Sequence, residues 1–163
     1  MFNQSFSADA VVYNTSGFES QDTLRRLKGK VQIYLPDLKY SDDKLAIKYS
    51  NAPYYFRIAT DAIKEMYRQV GDYKINDDGI MESGVIIRHL IMPGHLDNSK
   101  KVIDWVAQNF KPGQVMFSLM HQYVPCGRAA EFVFLHVGLE DVQGLFHHGR
   151  IHGDDFVFIL LAV

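Results

Sequence analysis

The chain of 163 residues is long enough to form one domain with its own hydrophobic core. Its 47% hydrophobic and 22% charged residues are typical of a globular protein, and its formal charge of −2 gives no reason to expect a nucleic acid or an acidic membrane as partner. The single cysteine, Cys126, excludes a disulfide framework and indicates an intracellular protein. Because no apolar run approaches the ~18 residues of a membrane span and the N-terminus lacks a signal-peptide pattern, we expect a cytoplasmic protein.

The first part of the chain predicts a strand, a helix and a second strand. The short apolar run AVVY, residues 10–13, ends at the turn cluster NTSG. The segment SQDTLRRLKG then predicts a helix that Ser20 caps and Gly29 ends. Residues 31–36 predict a buried strand, which runs directly into the sequence DLKYSD.

Two helices are predicted next. Ser41 is a candidate cap for a short helix over DDKLAIKYS. A longer helix is predicted over residues 53–70, with Pro53 in its first turn. Apolar residues recur there at steps of three and four, as on one face of a helix. They are Phe56, Ala59, Ile63, Met66 and Val70.

The remaining pattern continues the alternation of strands and helices. After the turn-rich segment GDYKINDDG, the isoleucine-rich run GVIIRHLIMPG predicts a strand that ends at Pro93 and Gly94. Asn98 is a candidate cap for the helix SKKVIDWVAQNF, and VMFSLMHQY, residues 115–123, predicts another strand. Strands that alternate with helices indicate an α/β fold, with parallel strands joined by helical crossovers.

Polar residues recur near the carboxyl ends of the predicted strands, where α/β proteins bind ligands. The candidates for a ligand site are Asn14, Thr15, Asp37, Lys39, Arg88 and His121. Structural roles remain open for each of them. Asp37 and Lys39 could form a simple ion pair, Arg88 could bind loop carbonyls and His121 could be a hydrogen-bonded core histidine. Asn14 and Thr15 could belong to a turn that precedes a helix cap. Asp37 and Lys39 are two positions apart, so in an extended segment they share a face.

Several motifs resemble, in order and spacing, the second half of the radical S-adenosylmethionine enzymes, in particular the pyruvate formate-lyase activating enzyme-like subgroup. They are YNTSGFES, YLPDLKYSD, EMYRQVG, GVIIRHLIMPGHLDNSK and SLMHQY. The resemblance covers about residues 8–128. It implies a partial (β/α) barrel whose ligand lies at the carboxyl ends of the strands. The chain would begin at about the fourth strand of that barrel, so that the N-terminal side is truncated.

The resemblance also implies roles for the candidate residues around S-adenosylmethionine. Lys39 would meet the methionine carboxylate, and Asp37 would accept hydrogen bonds from ammonium or hydroxyl groups. Asn14 stands at a ribose-contacting position, with Thr15 beside it. Arg88 would offer a fixed cation to the ligand carboxylate or to a reaction partner. His121, the histidine of SLMHQY, is the sixth ligand-binding candidate and lies at the end of the last matched strand.

For the complete family, the resemblance implies a [4Fe-4S] cluster that reduces S-adenosylmethionine by one electron to give a 5′-deoxyadenosyl radical. It also implies an electron donor such as flavodoxin or ferredoxin, and a glycyl-radical-type protein as substrate. The family binds its cluster through three cysteines in a C-x-x-x-C-x-x-C loop. Because Cys126 cannot replace them, we expect the chain alone to be inactive and assign it no metal ligands.

Residues 1–128 are therefore predicted to form the C-terminal part of a radical S-adenosylmethionine barrel. Residues 129–163 resemble nothing in the family, which indicates a frameshifted or divergent tail. Its histidine-rich segment HHGRIH is interrupted by glycine and has no regular element to fix a metal site.

Two alternative functions remain open. The first is an aldolase-type barrel in which Lys39 forms a Schiff base, although Asp37 beside it would favour the charged ammonium over the nucleophilic amine. The second is a non-catalytic subunit that completes a split barrel with a separately encoded, cysteine-bearing half.

Overall fold

A computed structural model describes residues 10–121 of the chain. The predicted tail, residues 129–163, lies outside this part, as do Cys126, the HHGRIH segment and the last two residues of the predicted strand 115–123. Of the two predicted domains, only the first is therefore represented.

Strands and helices alternate through residues 10–121, which confirms the α/β class. In chain order the elements are β1 (Val12–Thr15), α1 (Gln21–Leu27), β2 (Ile33–Pro36), α2 (Asp43–Ser50), α3 (Tyr55–Val70), β3 (Lys74–Ile75), β4 (Met81–Leu90), α4 (Leu96–Asn109) and β5 (Met116–Met120). None of the helices in this range has both the length and the hydrophobicity to cross a lipid bilayer.

The sheet is built mainly from parallel strands that are neighbours in chain order. β1 pairs with β2, β2 with β4, and β4 with β5, all in parallel. The short strand β3 pairs antiparallel with the first residues of β4. Because the long strands are parallel, their carboxyl ends meet at one edge of the sheet, and helices follow β1, β2 and β4.

One face of this sheet carries the hydrophobic core. Alternate strand residues point to that face, and all four helices contribute buried residues to the same cluster. The strand residues of this set are Tyr34, Val85, Ile87, Phe117 and Leu119. Helix α3 supplies the predicted stripe, in which Ala59, Ile63 and Met66 are fully buried. Burial of a side chain the size of isoleucine contributes roughly 1.5–3 kcal/mol.

Several predicted boundaries are confirmed. The side chain of Ser20 accepts a hydrogen bond from the Thr23 backbone N–H at 3.0 Å, and Gly29 ends the α1 region with a φ of +77°. The strand predicted over 10–13 instead runs from Val12 to Thr15, so that the first half of NTSG belongs to the strand. Its pairing with residues Ile33 to Pro36 of β2 explains this shift, because the register extends through Thr15.

Three predicted helix starts are wrong. The cap of α2 is Asp42, whose side chain accepts from Lys44 N–H at 2.7 Å, and not Ser41. Helix α3 starts at Tyr55, so Pro53 lies before its first turn. Asn98 lies inside α4, which starts at Leu96, and its side chain accepts from Ser41 N–H instead of capping the helix.

Strand β3 was not predicted, and β4 begins three residues before the predicted GVIIRHLIMPG run. The two differences have one cause. The segment between α3 and β4 folds back as a short antiparallel strand, and its pairing with Met81 and Ser83 extends β4 toward its amino end.

The turn after β1 makes a close contact that requires glycine. Gly17 has a φ of +79°, and a Cβ atom built there would collide with the backbone carbonyl oxygen of Asp37. Gly29 has nearly the same φ, of +77°, but a Cβ atom there would meet nothing within 4 Å. Alanine substitution at the two positions therefore distinguishes the cost of backbone strain alone from the cost of strain together with a steric clash.

We predict that Gly17→Ala lowers the free energy of unfolding more than Gly29→Ala does. Gly29→Ala adds only the strain of a positive φ, about 1 kcal/mol, whereas Gly17→Ala also displaces the Asp37 carbonyl, for a total of about 2–3 kcal/mol. Urea unfolding of both variants measures the difference. Equal losses would contradict the close approach of Gly17 to Asp37.

Candidate ligand-binding site

Three of the predicted site residues meet at the carboxyl edge of the sheet. Arg88 of β4 donates from Nη2 to the Asn14 side-chain oxygen on β1 at 2.7 Å. The same Nη2 lies 2.7 Å from the Oδ1 atom of Asp37, which directly follows β2. A single guanidinium therefore links the ends of three parallel strands.

Lys39 extends this group toward solvent. Its Nζ lies 3.6 Å from the Oδ2 atom of Asp37, so the two oxygens of this carboxylate face two different cations. The side chain of Lys39 is 42% exposed, compared with 19% for Asp37 and 25% for Arg88. The ammonium of Lys39 is thus the most accessible charge of the group, and the prediction that Asp37 and Lys39 face the same way is confirmed.

Arg88 has hydrogen-bonding capacity that the described residues do not use. Its Nε atom is buried and has no hydrogen-bond partner within residues 10–121. A buried donor without a partner costs roughly 1–3 kcal/mol, and native structures retain few of them. An acceptor on a bound ligand would satisfy this donor.

Thr15 does not join this group. It follows Asn14 in β1 and therefore points to the opposite face of the strand, where its hydroxyl donates to the Glu19 carboxylate at 2.6 Å. The same hydroxyl oxygen accepts from the Gly17 backbone N–H at 3.3 Å, so Thr15 stabilises the turn after β1. His121 follows β5 directly and lies half-buried at the same edge of the sheet as Arg88.

Residues 37–41, here called the 37–41 loop, carry Asp37 and Lys39 away from the end of β2. Backbone hydrogen bonds fix its start: Asp37 N–H donates to Thr15 O at 2.9 Å, and Leu38 N–H donates to Arg88 O at 2.8 Å. The loop is therefore bonded on one side to β1 and on the other side to β4.

Tyr55, at the start of α3, binds the same loop through its hydroxyl group. The hydroxyl oxygen accepts from Lys39 N–H at 3.0 Å, and its proton lies between Ser16 O at 2.9 Å and Asp37 O at 3.0 Å. Burial of the ring raises the pKa of Tyr55, so the hydroxyl stays protonated at physiological pH. One buried hydroxyl thus joins the turn after β1 to the loop after β2.

Asn98 of α4 holds the far end of the loop. Its Oδ1 accepts from Ser41 N–H at 2.7 Å and from the Ser41 hydroxyl at 3.0 Å. Its Nδ2 donates to Lys39 O at 2.9 Å. Asn98 is buried away from water, so its amide and the polar groups of the loop depend on these bonds as hydrogen-bond partners.

His89, on the core face of β4, is the third side chain that binds the 37–41 loop. Its Nδ1 lies 2.6 Å from Leu38 O, and its Nε2 lies 2.8 Å from the Ser99 hydroxyl. Because a carbonyl oxygen only accepts, Nδ1 carries the proton, and Nε2 accepts from Ser99. The ring is fully buried, and this burial lowers the pKa of His89 to about 4. His89 is therefore neutral near pH 7.

Sequence reasoning noted His89 beside Arg88 in its strand, but it assigned a loop-holding role to none of the three side chains that hold the loop. His89 had a visible signal, since a histidine inside an apolar strand needs a buried partner. Asn98 was interpreted as a helix cap, and Tyr55 was not singled out. The bonds of Tyr55 and Asn98 join segments far apart in the chain, so no local spacing indicates them.

The charges of this group would suit a small polar ligand that carries charges of both signs. Lys39 and Arg88 present cations, Asp37 presents a carboxylate, and Asn14 presents an amide. In the part of the chain from 10 to 121, no group of three or more His, Cys, Asp or Glu side chains could hold a metal ion. The arrangement thus favours hydrogen bonds and ion pairs over metal coordination among these residues.

The chain is 32% identical over 123 residues to the uncharacterized protein MJ0674 of Methanocaldococcus jannaschii. The match covers 75% of this chain but spans only 32% of the length of that protein. No protein-family profile matches the chain, and no solved structure matches it.

We predict that Asp37→Asn lowers the free energy of unfolding by about 1–2 kcal/mol, because it leaves Arg88 and Lys39 without their shared carboxylate in a partly buried position. The matched control is Asp97→Asn, since Asp97 pairs with Lys100 but is 90% exposed. The control should change stability by less than about 0.5 kcal/mol. Urea unfolding at pH 7 tests both, and a loss in the control as large as that of Asp37→Asn would contradict the prediction.

A second prediction concerns pH. The pKa of His89 is about 4 in the folded chain and near 6.5 when unfolded, so on acidification the unfolded chain takes up the proton first. The contribution of His89 to stability is full above pH 6.5 and decreases between pH 6.5 and 4 by at most about 3 kcal/mol. Urea unfolding at several pH values across this range measures the slope of the free energy of unfolding against pH.

The control for this slope is His95→Asn, which removes a half-buried histidine bonded to Tyr49. His89→Asn should remove most of the slope, whereas His95→Asn, which keeps His89, should retain it. An unchanged slope in His89→Asn would assign the pH dependence to other groups.

Proposed function

We propose that this chain forms the C-terminal part of a radical S-adenosylmethionine-type partial barrel and binds S-adenosylmethionine at the carboxyl edge of its strands. The observation that carries the proposal is the linkage of Asn14, Asp37 and Arg88 through one guanidinium, with Lys39 beside them. These are four of the residues that the family resemblance assigns to the ligand.

The ligand chemistry fits the group. The methionine end of S-adenosylmethionine carries a carboxylate and an ammonium. We assign the carboxylate to the accessible ammonium of Lys39, and the ligand ammonium or a ribose hydroxyl to Asp37. Arg88 Nε, which has no partner within residues 10–121, supplies a further donor, and Asn14 supplies an amide for the ribose.

The topology supports a partial barrel. Neighbouring parallel strands follow one another in chain order, and the helices share one core on one face of the sheet. A barrel wall requires this sequential arrangement, and it leaves the opposite face for the interior. The remaining strands would come from other polypeptide sequence, in keeping with a relative of which this chain spans about a third.

The described residues do not fit an iron–sulfur cluster. Cluster irons are bound by cysteine thiolates, and residues 10–121 contain no cysteine. We therefore assign no electron-transfer step to this chain. Its proposed contribution is to bind and orient S-adenosylmethionine, while a cysteine-bearing segment elsewhere would hold the cluster and meet the flavodoxin- or ferredoxin-type donor and the glycyl-radical-type substrate.

The same lack of cysteine is equally compatible with a second candidate, a non-catalytic subunit that completes a split barrel. The two candidates share the ligand-binding edge and differ in whether one polypeptide carries both halves. The aldolase alternative has less support, because Lys39 is 42% exposed and pairs with Asp37, whereas a Schiff-base lysine needs an apolar pocket.

We predict that the full chain binds S-adenosylmethionine and that Lys39→Met weakens binding by about 10-fold or more, because it removes a charge-assisted contact. Lys100→Met is the matched control, since Lys100 is 41% exposed and lies 3.4 Å from Asp97. Isothermal titration calorimetry measures both affinities. Arg88→Lys should also weaken binding, whereas Arg26→Lys, in an exposed pair with Asp22, should not.

Two outcomes would overturn the proposal. One is a full chain that does not bind S-adenosylmethionine at millimolar concentration. The other is equal weakening by Lys39→Met and Lys100→Met. If borohydride in the presence of a carbonyl compound labels Lys39, the aldolase alternative replaces the proposal.

A further inference from the structure

Ser118 is a polar residue in the middle of an otherwise apolar strand. The sequence of β5 is MFSLM, so each of its other four residues is hydrophobic. Ser118 is 3% exposed, and its hydroxyl has no hydrogen-bond partner among residues 10–121. A buried hydroxyl without a partner destabilises a fold, so the packing of β5 alone does not account for a serine at this position.

The register of the sheet places Ser118 beside Arg88. The strands β4 and β5 are parallel, and Arg88 is the pairing partner of Ser118. Partner residues of neighbouring strands lie about 4.8 Å apart and point to the same face of the sheet. The hydroxyl of Ser118 therefore lies on the face that carries the ligand-binding group. The pairs that flank it on this face are apolar: Ile86 with Met116, and Leu90 with Met120.

A second donor without a partner belongs to the same pair of residues. The Nε atom of Arg88 is buried and has no hydrogen-bond partner within residues 10–121. The guanidinium is fixed in its present orientation, because its Nη2 atom lies 2.7 Å from both the Asn14 amide oxygen and the Asp37 carboxylate. Two donors without partners thus occur in register on β4 and β5.

We propose that Ser118 and Arg88 form a subsite for a negatively charged oxygen of the ligand, a carboxylate or phosphate oxygen, with the Ser118 hydroxyl and Arg88 Nε–H as its donors. Ser118 is then a specificity-determining residue of the site. The inference rests on the proposed function in placing a ligand at this edge of the sheet, but it does not require that the ligand be S-adenosylmethionine.

Charge and environment favour an anionic oxygen at this subsite. Arg88 and Lys39 share the single carboxylate of Asp37, so this group of three has one positive charge in excess. Hydrogen bonds to an ionised acceptor are about twice as strong as those between neutral groups. The apolar pairs on both sides of the subsite lower the local polarity, which strengthens such a bond further. A cationic or apolar group of the ligand would leave both donors without a partner.

The first experiment distinguishes a ligand-binding serine from a structural one by urea unfolding of the full chain without ligand. Ser118→Ala removes a hydroxyl that has no partner, so we expect a urea midpoint equal to or higher than that of the unmodified chain. Ser99→Ala is the reference: its buried hydroxyl is bonded to His89 at 2.8 Å, so its loss should lower the midpoint. An equal decrease in both variants would overturn the inference, because it would show that Ser118 has a structural partner.

The second experiment measures ligand binding by isothermal titration calorimetry with S-adenosylmethionine. Ser118→Ala should weaken binding about 5- to 10-fold, the effect of one lost hydrogen bond to a charged group. Ser83→Ala, near the amino end of β4, is the matched control and should bind like the unmodified chain. Methylthioadenosine, which lacks the carboxylate, should bind equally well to Ser118→Ala and to the unmodified chain. Unchanged affinity of Ser118→Ala for S-adenosylmethionine, or an equal loss for both ligands, would overturn the inference.

A full chain that does not bind S-adenosylmethionine would refute the proposed function, and the subsite is then tested with acetate and inorganic phosphate. The Nε–H signals of the arginine side chains are followed by NMR in the ¹⁵N-labelled full chain, with Arg88→Lys to assign the Arg88 signal. We expect at least one anion to shift this signal in the unmodified chain and in Ser83→Ala, and to shift it less in Ser118→Ala. The anion that acts at lower concentration identifies the ligand class. No shift with either anion, or the same shift in Ser118→Ala, would overturn the inference.

Discussion

The hydrogen bonding of the 37–41 loop is the constraint on which the rest of the described structure depends. Its backbone polar groups are bonded to β1 and β4 and to the buried side chains of Tyr55, His89 and Asn98. A buried backbone group that loses its partner costs roughly 1–3 kcal/mol, so no one of these contacts can be removed without a penalty. The end of β2 is consequently fixed by elements from most of the described chain.

This rigidity fixes the charged group that we propose as a ligand-binding site. Asp37 is held between Arg88 and Lys39, in a position that is largely but not fully buried. Such a pair contributes little net stability, because desolvation offsets much of the Coulomb attraction. What the fold gains is pre-organisation: the charges are already oriented, so a ligand need not immobilise flexible side chains when it binds.

Local patterns predicted most elements of residues 10–121, because these strands and helices follow the hydrophobic period, whereas cap chemistry identified only the start of α1, at Ser20. The shared face of Asp37 and Lys39 also follows from local geometry, as does the position of Arg88 near the end of its strand. Tyr55 and Asn98 could not be predicted, because their partners lie far away in the sequence and both side chains have plausible local roles. Strand β3 was missed for a related reason: it is two exposed residues stabilised by pairing with β4.

The adjacent residues Arg88 and His89 need opposite environments. Arg88 faces the charged group, and His89 is enclosed among the helices. If β4 slipped by one position against its neighbours, the guanidinium would enter the apolar core and the imidazole would leave its two partners. β4 is otherwise rich in apolar residues that either face could accept, so this pair discriminates against misaligned sheets during folding. The dipeptide therefore encodes the alignment of the sheet as well as the chemistry at its edge.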